Sequence, residues 1–194
     1  MASNDKDVLK EMREIGHDLF HRGLVSSHSG NMSVRVGGEI YITRTKSMLG
    51  RLKKGDIVKV PLEAADPETL KIASSETPVH MRIYVETDGR SIIHAHPPYS
   101  ILTSFFLGNR TLRPLDWEGR VLLKSIPFVE IEEDEEKGRK IANCLKDSKV
   151  VVVKGHGSFA IGDNLEEAYM YTMSLEHSCF FLYHLEIQKK WRKK

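Results

Sequence analysis

Apolar residues recur along the chain at two spacings, which predict an alternation of helices and strands. From 8 to 20 they recur every three or four positions and Gly23 follows, which is typical of an amphipathic helix with a glycine C-cap. Residues 31–36 and 39–42 alternate apolar and polar around Gly37-Gly38, which predicts a β-hairpin. Further short apolar runs, typical of strands, lie at 57–60, 92–96, 121–123, 128–129, 150–153 and 158–161.

Helix-start signals precede several of the remaining segments. Ser74-Ser75 before Glu76-Thr77-Pro78 favours a helix start there, and Asn164 with Glu167 resembles a capping box. The predicted helices cover about 76–88, 99–107, 132–146 and 164–190, and the acidic run at 132–136 is interpreted as a solvated helix start. The chain has no repeats and no low-complexity linker, so residues 1–194 are predicted to form one α/β domain with a mainly antiparallel sheet.

Composition narrows the class of protein. A chain of 194 residues can bury a substantial core, and a net charge of +2 gives no argument for a nucleic-acid or membrane partner. Cys144 and Cys179 both lie in apolar helical patterns, which favours a reducing compartment over a disulfide framework. The first twenty residues lack a secretory signal, and no apolar run approaches the ~20 residues of a membrane span. We therefore expect a cytoplasmic protein, with the basic run 189–194 as a solvated helix end.

Three histidines are the strongest candidates for chemistry. His94 and His96 follow an apolar strand, and His156 lies in a Gly-His-Gly turn after a valine-rich strand. Positions i and i+2 of a strand share a face and lie roughly 6–7 Å apart, so two imidazoles can converge on one ion. Three neutral nitrogen ligands with an open fourth position are typical of catalytic zinc. The sequence therefore predicts a metal site.

Three segments have residues suited to binding an anion. The helix start after Ser74-Ser75 offers free N–H groups and two hydroxyls, which together suit a phosphate. Segment 29–31 is a small-residue turn, and segment 43–46 is a polar loop with cationic side chains. Such segments usually form ordinary turns, and Glu76 is favoured in the first turn of a helix whatever its role. Three such segments in a chain that also has the three histidines favour an anion site more strongly than any one segment does.

These segments, in this order, resemble the class II aldolase and adducin head-domain family. The matching segments are 29–35, 42–45, 74–76, 94–96 and 155–157. The resemblance covers nearly the whole chain, and its compact length is similar to the short archaeal fuculose-phosphate aldolase type. It implies a single three-layer domain, with a central, mainly antiparallel sheet covered by helices.

The resemblance also implies a ligand set and a reaction. His94, His96 and His156 would bind one Zn²⁺ per subunit, or another divalent metal, and Glu76 would be the acid/base and a fourth ligand of the resting site. The implied reaction is reversible cleavage of a ketose 1-phosphate to dihydroxyacetone phosphate and an aldehyde, through a metal-stabilised enediolate. The family's phosphate site corresponds to Gly30, Asn31, Thr45, Lys46, Ser74 and Ser75. The implied assembly is a homotetramer with active sites at subunit interfaces.

Two departures from the family pattern concern substrate binding. Lys46 replaces a glycine that usually follows the threonine, and it either adds a point charge for phosphate or points into solvent. Family members also use a tyrosine from a neighbouring subunit at the aldehyde side, and segment 112–118 has none. The identity of the aldehyde therefore stays open.

Other family activities are alternatives. A methylthioribulose-phosphate dehydratase would place its acid/base after the His-x-His strand, where this chain has Glu118, but such enzymes usually lack the glutamate equivalent to Glu76. A 4-epimerase would need a catalytic tyrosine in a C-terminal tail. A non-catalytic adducin-like module would have lost the histidines that this chain retains. Aldolase is therefore the preferred hypothesis.

Overall fold

The computed structural model describes residues 5–191, which form one eight-stranded sheet with helices on both faces. The strands are β1 (Asn31–Val36), β2 (Glu39–Thr43), β3 (Ile57–Pro61), β4 (Ser91–Ala95), β5 (Thr111–Leu112), β6 (Ile126–Val129), β7 (Val150–Val153) and β8 (Gly157–Gly162). The helices are α1 (Asp5–His21), α2 (Pro67–Ile72), α3 (Thr77–Glu86), α4 (Pro98–Leu107), α5 (Trp117–Leu122), α6 (Asp134–Leu145) and α7 (Leu165–Trp191). Residues 192–194 of the basic run lie outside the described residues.

The strand order is β3-β2-β1-β4-β8-β7-β6-β5, and within the described residues β6 and β7 are the one parallel pair. The predicted hairpin of β1 and β2 is confirmed, with Val34 opposite Tyr41 and Gly37 at φ 61° in the turn. Glycine is favoured there because a side chain is strained at positive φ. The mainly antiparallel sheet is likewise confirmed.

The sheet separates two layers of helices because side chains alternate between its faces. On β4, Ile92 contributes to the core under α3 and α6, whereas Ile93 contributes to the core under α1 and α7. A third apolar cluster packs β6–β8 against α4, α5 and α7. The three-layer architecture is therefore confirmed, and His94, two positions after Ile92, faces the α3 side of the sheet.

One predicted strand is a helix, and one short helix was not predicted. The apolar run at 121–123 predicts a strand, but residues Trp117–Leu122 form helix α5. Asp116 caps this helix by accepting a hydrogen bond from the Gly119 N–H at 2.7 Å. Residues Pro67–Ile72 form the short helix α2, for which the sequence analysis made no prediction, and Asp66 caps it through the Thr69 N–H. In both cases an aspartate N-cap determined the structure.

Helix α7 crosses the sheet and fixes the start of α4. Its predicted N-terminus is confirmed, because the Asn164 side chain accepts a hydrogen bond from the Glu167 N–H at 2.8 Å. Further along, the buried Glu176 carboxylate accepts hydrogen bonds from the N–H groups of Tyr99 and Ser100 at 2.8 and 2.9 Å. Burial raises the pKa of Glu176. Since α4 begins directly after the histidine strand, this contact helps to fix the chain that follows His96.

Two other expectations concern thiols and membranes. Cys144 and Cys179 are both free thiols, as expected. Among residues 5–191, no helix combines the length and apolar character needed to cross a membrane.

Candidate metal centre and anion site

The structure brings His94, His96 and His156 together. Their ligand atoms all lie within 4.8 Å of one another, and the Nε2 atoms of His94 and His96 are 3.1 Å apart. The cause is the pairing of β4 with β8, which places Ala95 opposite Ser158 and so sets the turn that carries His156 beside the end of β4. The predicted strand-end arrangement therefore produces one three-histidine group.

His94 is held in the form that a metal requires. Its Nδ1 lies 3.0 Å from the Ser158 carbonyl oxygen, so Nδ1–H donates and the lone pair of Nε2 faces His96. The ring is buried and stacks on Phe159 at 4.2 Å between centroids. Burial, followed by the neighbouring imidazoles, lowers the pKa of His94 and also that of His96. Neutral, convergent imidazoles fit a zinc ion or a similar divalent metal.

Glu76 lies beside this group at the start of α3. Its Oε1 atom is 4.0 Å from His156 Nε2, and Lys137 Nζ from α6 donates to the same oxygen at 2.5 Å. Both partners of this ion pair are largely buried. Lys137 was missed by the sequence analysis, which interprets the start of this helix as solvated. The sequence feature that could have indicated its role is the next residue, Gly138, because a glycine lets two helices approach closely.

The residues predicted to bind phosphate line a cavity of about 280 Å³ that also contains the three histidines and Glu76. Its other lining residues include His28 and Arg44. Gly30 adopts φ 77°, and a Cβ there would lie 2.6 Å from a Val25 methyl group, so this turn requires glycine. The predicted residues in the cavity wall are Gly30, Asn31, Thr45, Lys46, Ser74 and Ser75.

Two polar groups in this cavity wall are suited to a ligand. Asn31 is buried, and its Oδ1 atom has no hydrogen-bond partner among the described residues. Lys46 adopts φ 60°, a left-handed conformation, and its side chain is exposed. This conformation explains the family's preference for glycine at the position, since it costs an L-residue on the order of 1–2 kcal/mol. The strained backbone places a cation at the cavity wall.

Glu118 is not brought to the histidines within the chain. It lies in the first turn of α5, and its Oε1 atom accepts a hydrogen bond from the Ser174 hydroxyl of α7 at 2.6 Å. The groove that it lines is formed with the start of α7, apart from the cavity of the histidines.

Sequence comparison decides the family. The family described as Class II Aldolase and Adducin N-terminal domain matches residues 10–183. The chain belongs to this family.

Relatives with named activities support the same conclusion. The chain is 33% identical over 169 residues to L-fuculose phosphate aldolase of Methanocaldococcus jannaschii, covering 86% of this chain and 91% of that protein. The crystal structure of L-fuculose-1-phosphate aldolase from Thermus thermophilus is similar, with a TM-score of 0.88, 35% identity and coverage of 94% and 96%. A 3-oxo-tetronate 4-phosphate decarboxylase of Escherichia coli is 26% identical, over 86% of this chain and 82% of that one. The relatives are thus enzymes whose reactions differ.

A buried polar network lies under the candidate metal centre and was also missed by the sequence analysis. The Ser33 hydroxyl lies 2.7 Å from His80 Nδ1 and 2.8 Å from the Tyr84 hydroxyl. His80 makes an edge contact with Phe159, the ring on which His94 stacks. Burial, followed by the charge of Lys137, lowers the pKa of His80 to about 3. His80 is therefore neutral in the folded protein at mildly acidic pH.

This shift predicts a loss of stability on acidification. Between pH 7.5 and 5.5 a histidine of the unfolded chain, with a pKa near 6.5, gains a proton that folded His80 does not bind. The unfolded state is therefore favoured by about 1.4 kcal/mol for this group. Urea denaturation in the presence of a chelator should show that His80→Gln loses less stability than the wild type over this range, by about that amount. His17→Gln, at an exposed position on α1, is the control for the histidine-to-glutamine change itself. Equal slopes for all three proteins would contradict the assignment.

Proposed function

We propose that the chain is a metal-dependent aldolase that cleaves a ketose 1-phosphate, similar to fuculose 1-phosphate, to dihydroxyacetone phosphate and an aldehyde. The observation that supports this most strongly is one cavity that contains the three histidines, Glu76 and every predicted phosphate-binding residue. A metal ion and a phosphate group bound in this cavity would hold the two ends of the three-carbon fragment that becomes dihydroxyacetone phosphate. The archaeal and Thermus relatives named as fuculose-phosphate aldolases support the same substrate class.

The roles of the chain's own residues follow from their positions. Zinc bound by the histidines would supply Lewis-acid polarisation of the substrate's carbonyl and hydroxyl oxygens. Segments 29–31, 44–47 and 74–75 would hold the phosphate and so fix the carbonyl carbon relative to the histidines. Glu76 lines the same cavity, directly after Ser75 and beside the histidines. As the bond between carbons 3 and 4 breaks, the carbon-4 hydroxyl would lose its proton and become the aldehyde oxygen, and Glu76 would return a proton to carbon 3. That step leaves dihydroxyacetone phosphate.

The proposal includes a homotetramer and a cytoplasmic location. Support for assembly comes from exposed apolar side chains on three adjacent helices. Phe105 and Phe106 of α4 are 59% and 52% exposed, Phe181 of α7 is 47% exposed, and Trp117 of α5 is 77% exposed. A contiguous exposed apolar patch marks a contact surface, and we infer that a second copy of the chain covers these side chains. In such a homotetramer the segment 112–118 of a neighbouring subunit, which has no tyrosine, would lie at the aldehyde side of the site.

The alternatives are a dehydratase and a non-catalytic module. Relatives in this family are named as a decarboxylase and as a bifunctional enzyme with a dehydratase activity. A dehydratase would give the main acid/base role to Glu118, whose carboxylate is bound to Ser174 away from the histidines. An adducin-like module would have no use for three neutral, convergent imidazoles. The geometry therefore favours the aldolase.

Loss of phosphate contacts should affect binding more than chemistry. Asn31→Ala and Ser75→Ala remove groups from the cavity wall but leave the histidines and Glu76 in place. One hydrogen bond to a charged group is worth about 1.5–3 kcal/mol, so each change should raise KM by about 10-fold or more with a smaller change in kcat. Steady-state kinetics would measure this, with Ser27→Ala as an exposed control nearby. Equal turnover of the ketose with and without its phosphate would refute the phosphate assignment.

The reverse reaction tests the proposed function. The purified protein, loaded with zinc, is incubated with dihydroxyacetone phosphate and a panel of small aldehydes, with and without a chelator. We expect a ketose phosphate whose mass is the sum of the two reactants, formed only without the chelator. No condensation with any aldehyde by a protein shown to contain metal would reject the aldolase proposal.

A further inference from the structure

A lysine in the candidate site has no role in the proposed mechanism. Lys137 Nζ contacts Glu76 Oε1 at 2.5 Å, and the two side chains are only 11% and 15% exposed. Ion pairs at the surface of a protein contribute little to its stability. A largely buried ammonium group, in contrast, destabilises the fold strongly if it loses its anionic partner. Lys137 and Glu76 therefore constrain each other.

The packing of α3 against α6 explains how Lys137 reaches the site. Gly138 faces α3, and a Cβ there would lie 3.3 Å from the Arg82 Cβ, so the two helices approach closely at this point. At the opposite ends of the same helices, Lys146 Nζ contacts Glu86 Oε2 at 2.7 Å. The two helices thus run side by side in parallel with a lysine–glutamate pair at each end. Lys146 is 45% exposed, whereas Lys137 is largely buried, and its pair lies beside the three histidines.

We propose that Lys137 is a positioning residue that holds the Glu76 carboxylate beside the three histidines and off the metal, in place of the fourth-ligand role that the family resemblance implies for Glu76. The inference rests on the proposed metal site. The Glu76 oxygen that lies 4.0 Å from His156 Nε2 is the same oxygen that accepts the lysine hydrogen bond. A charge-assisted hydrogen bond to that oxygen competes with its coordination to a cation. Glu76 then stays available for proton exchange, and the fourth coordination position stays open to substrate.

Cobalt(II) substitution tests the inference without measuring activity, because its visible absorption depends on the number and type of ligands. In the full-length protein, Glu76→Gln should bind cobalt within about twofold of the wild type and give the same spectrum. Lys137→Met should release the carboxylate to the metal, so that cobalt binds several-fold more tightly with a changed spectrum. The double variant Lys137→Met/Glu76→Gln should return to the wild-type spectrum. Lys137→Arg, which retains a cation, should resemble the wild type.

The matched control is Lys146→Met, which removes the equivalent ion pair between the same two helices away from the site. It should leave the cobalt spectrum and affinity unchanged. A wild-type spectrum that changes on Glu76→Gln, with weaker binding, would overturn the inference because Glu76 would already be a ligand. This comparison decides the matter even where Lys137→Met does not fold. If the wild type binds no cobalt, the proposed metal site fails and the inference fails with it.

Discussion

Replacement of Glu76 by glutamine is expected to slow cleavage by about 10²–10⁴-fold, the usual contribution of a positioned general acid/base. The amide has nearly the shape of the carboxylate and can still accept the Lys137 hydrogen bond, so the variant should lose the stability of the ion pair but keep its metal through the three histidines. The loss should therefore appear in kcat, with metal content unchanged. Steady-state kinetics together with metal analysis of the purified variant would measure both.

Glu118→Gln is the matched comparison, because this glutamate is the acid/base of the competing dehydratase hypothesis. Its carboxylate is bound to Ser174 and lies in a different groove, so the change should have a much smaller effect on cleavage. If Glu118→Gln caused the large loss and Glu76→Gln cleaved at nearly the wild-type rate, the aldolase mechanism would be wrong.

Loss of one histidine should remove the metal and nearly all activity. His96→Ala and His156→Ala each delete one of three convergent ligands, and the rings are only partly buried, so folding should survive. His94→Ala should also lose about 2–4 kcal/mol of stability, because it leaves a cavity against Phe159 and removes the donor to the Ser158 carbonyl. Metal analysis and chemical denaturation would measure the two effects.

His21→Ala, an exposed histidine at the end of α1, is the control for nonspecific metal binding and should behave as the wild type. A variant at His94, His96 or His156 that kept full metal occupancy would remove that histidine from the ligand set.

Much of this arrangement was predictable because its signals are local in the sequence. The β1–β2 hairpin follows from alternation around two glycines, and the convergence of His94 with His96 follows from the period of a strand. The helix start at Ser74-Ser75 was predicted from its small polar residues and Pro78. Each of these features depends on a few neighbouring residues.

The parts that were missed depend on contacts between distant segments or on weak patterns. Lys137 is 61 positions from Glu76, and only the packing of α3 against α6 brings them together. Glu176 binds the start of α4 from 76 positions away. Segment 121–123 has three apolar residues, too few to distinguish the period of a strand from that of a helix, and the cap at Asp116 made it helical.

The most direct test of the central claim is the mass of the products from one ketose 1-phosphate, with and without bound metal. An aldolase that uses this site should give two fragments, dihydroxyacetone phosphate and an aldehyde, and a chelator should abolish both. A single product of unchanged carbon count, lighter by one water, would show a dehydratase. If only an acidic analogue of the substrate reacted, with loss of carbon dioxide, the protein would be a decarboxylase. Either of these results would contradict the proposed function.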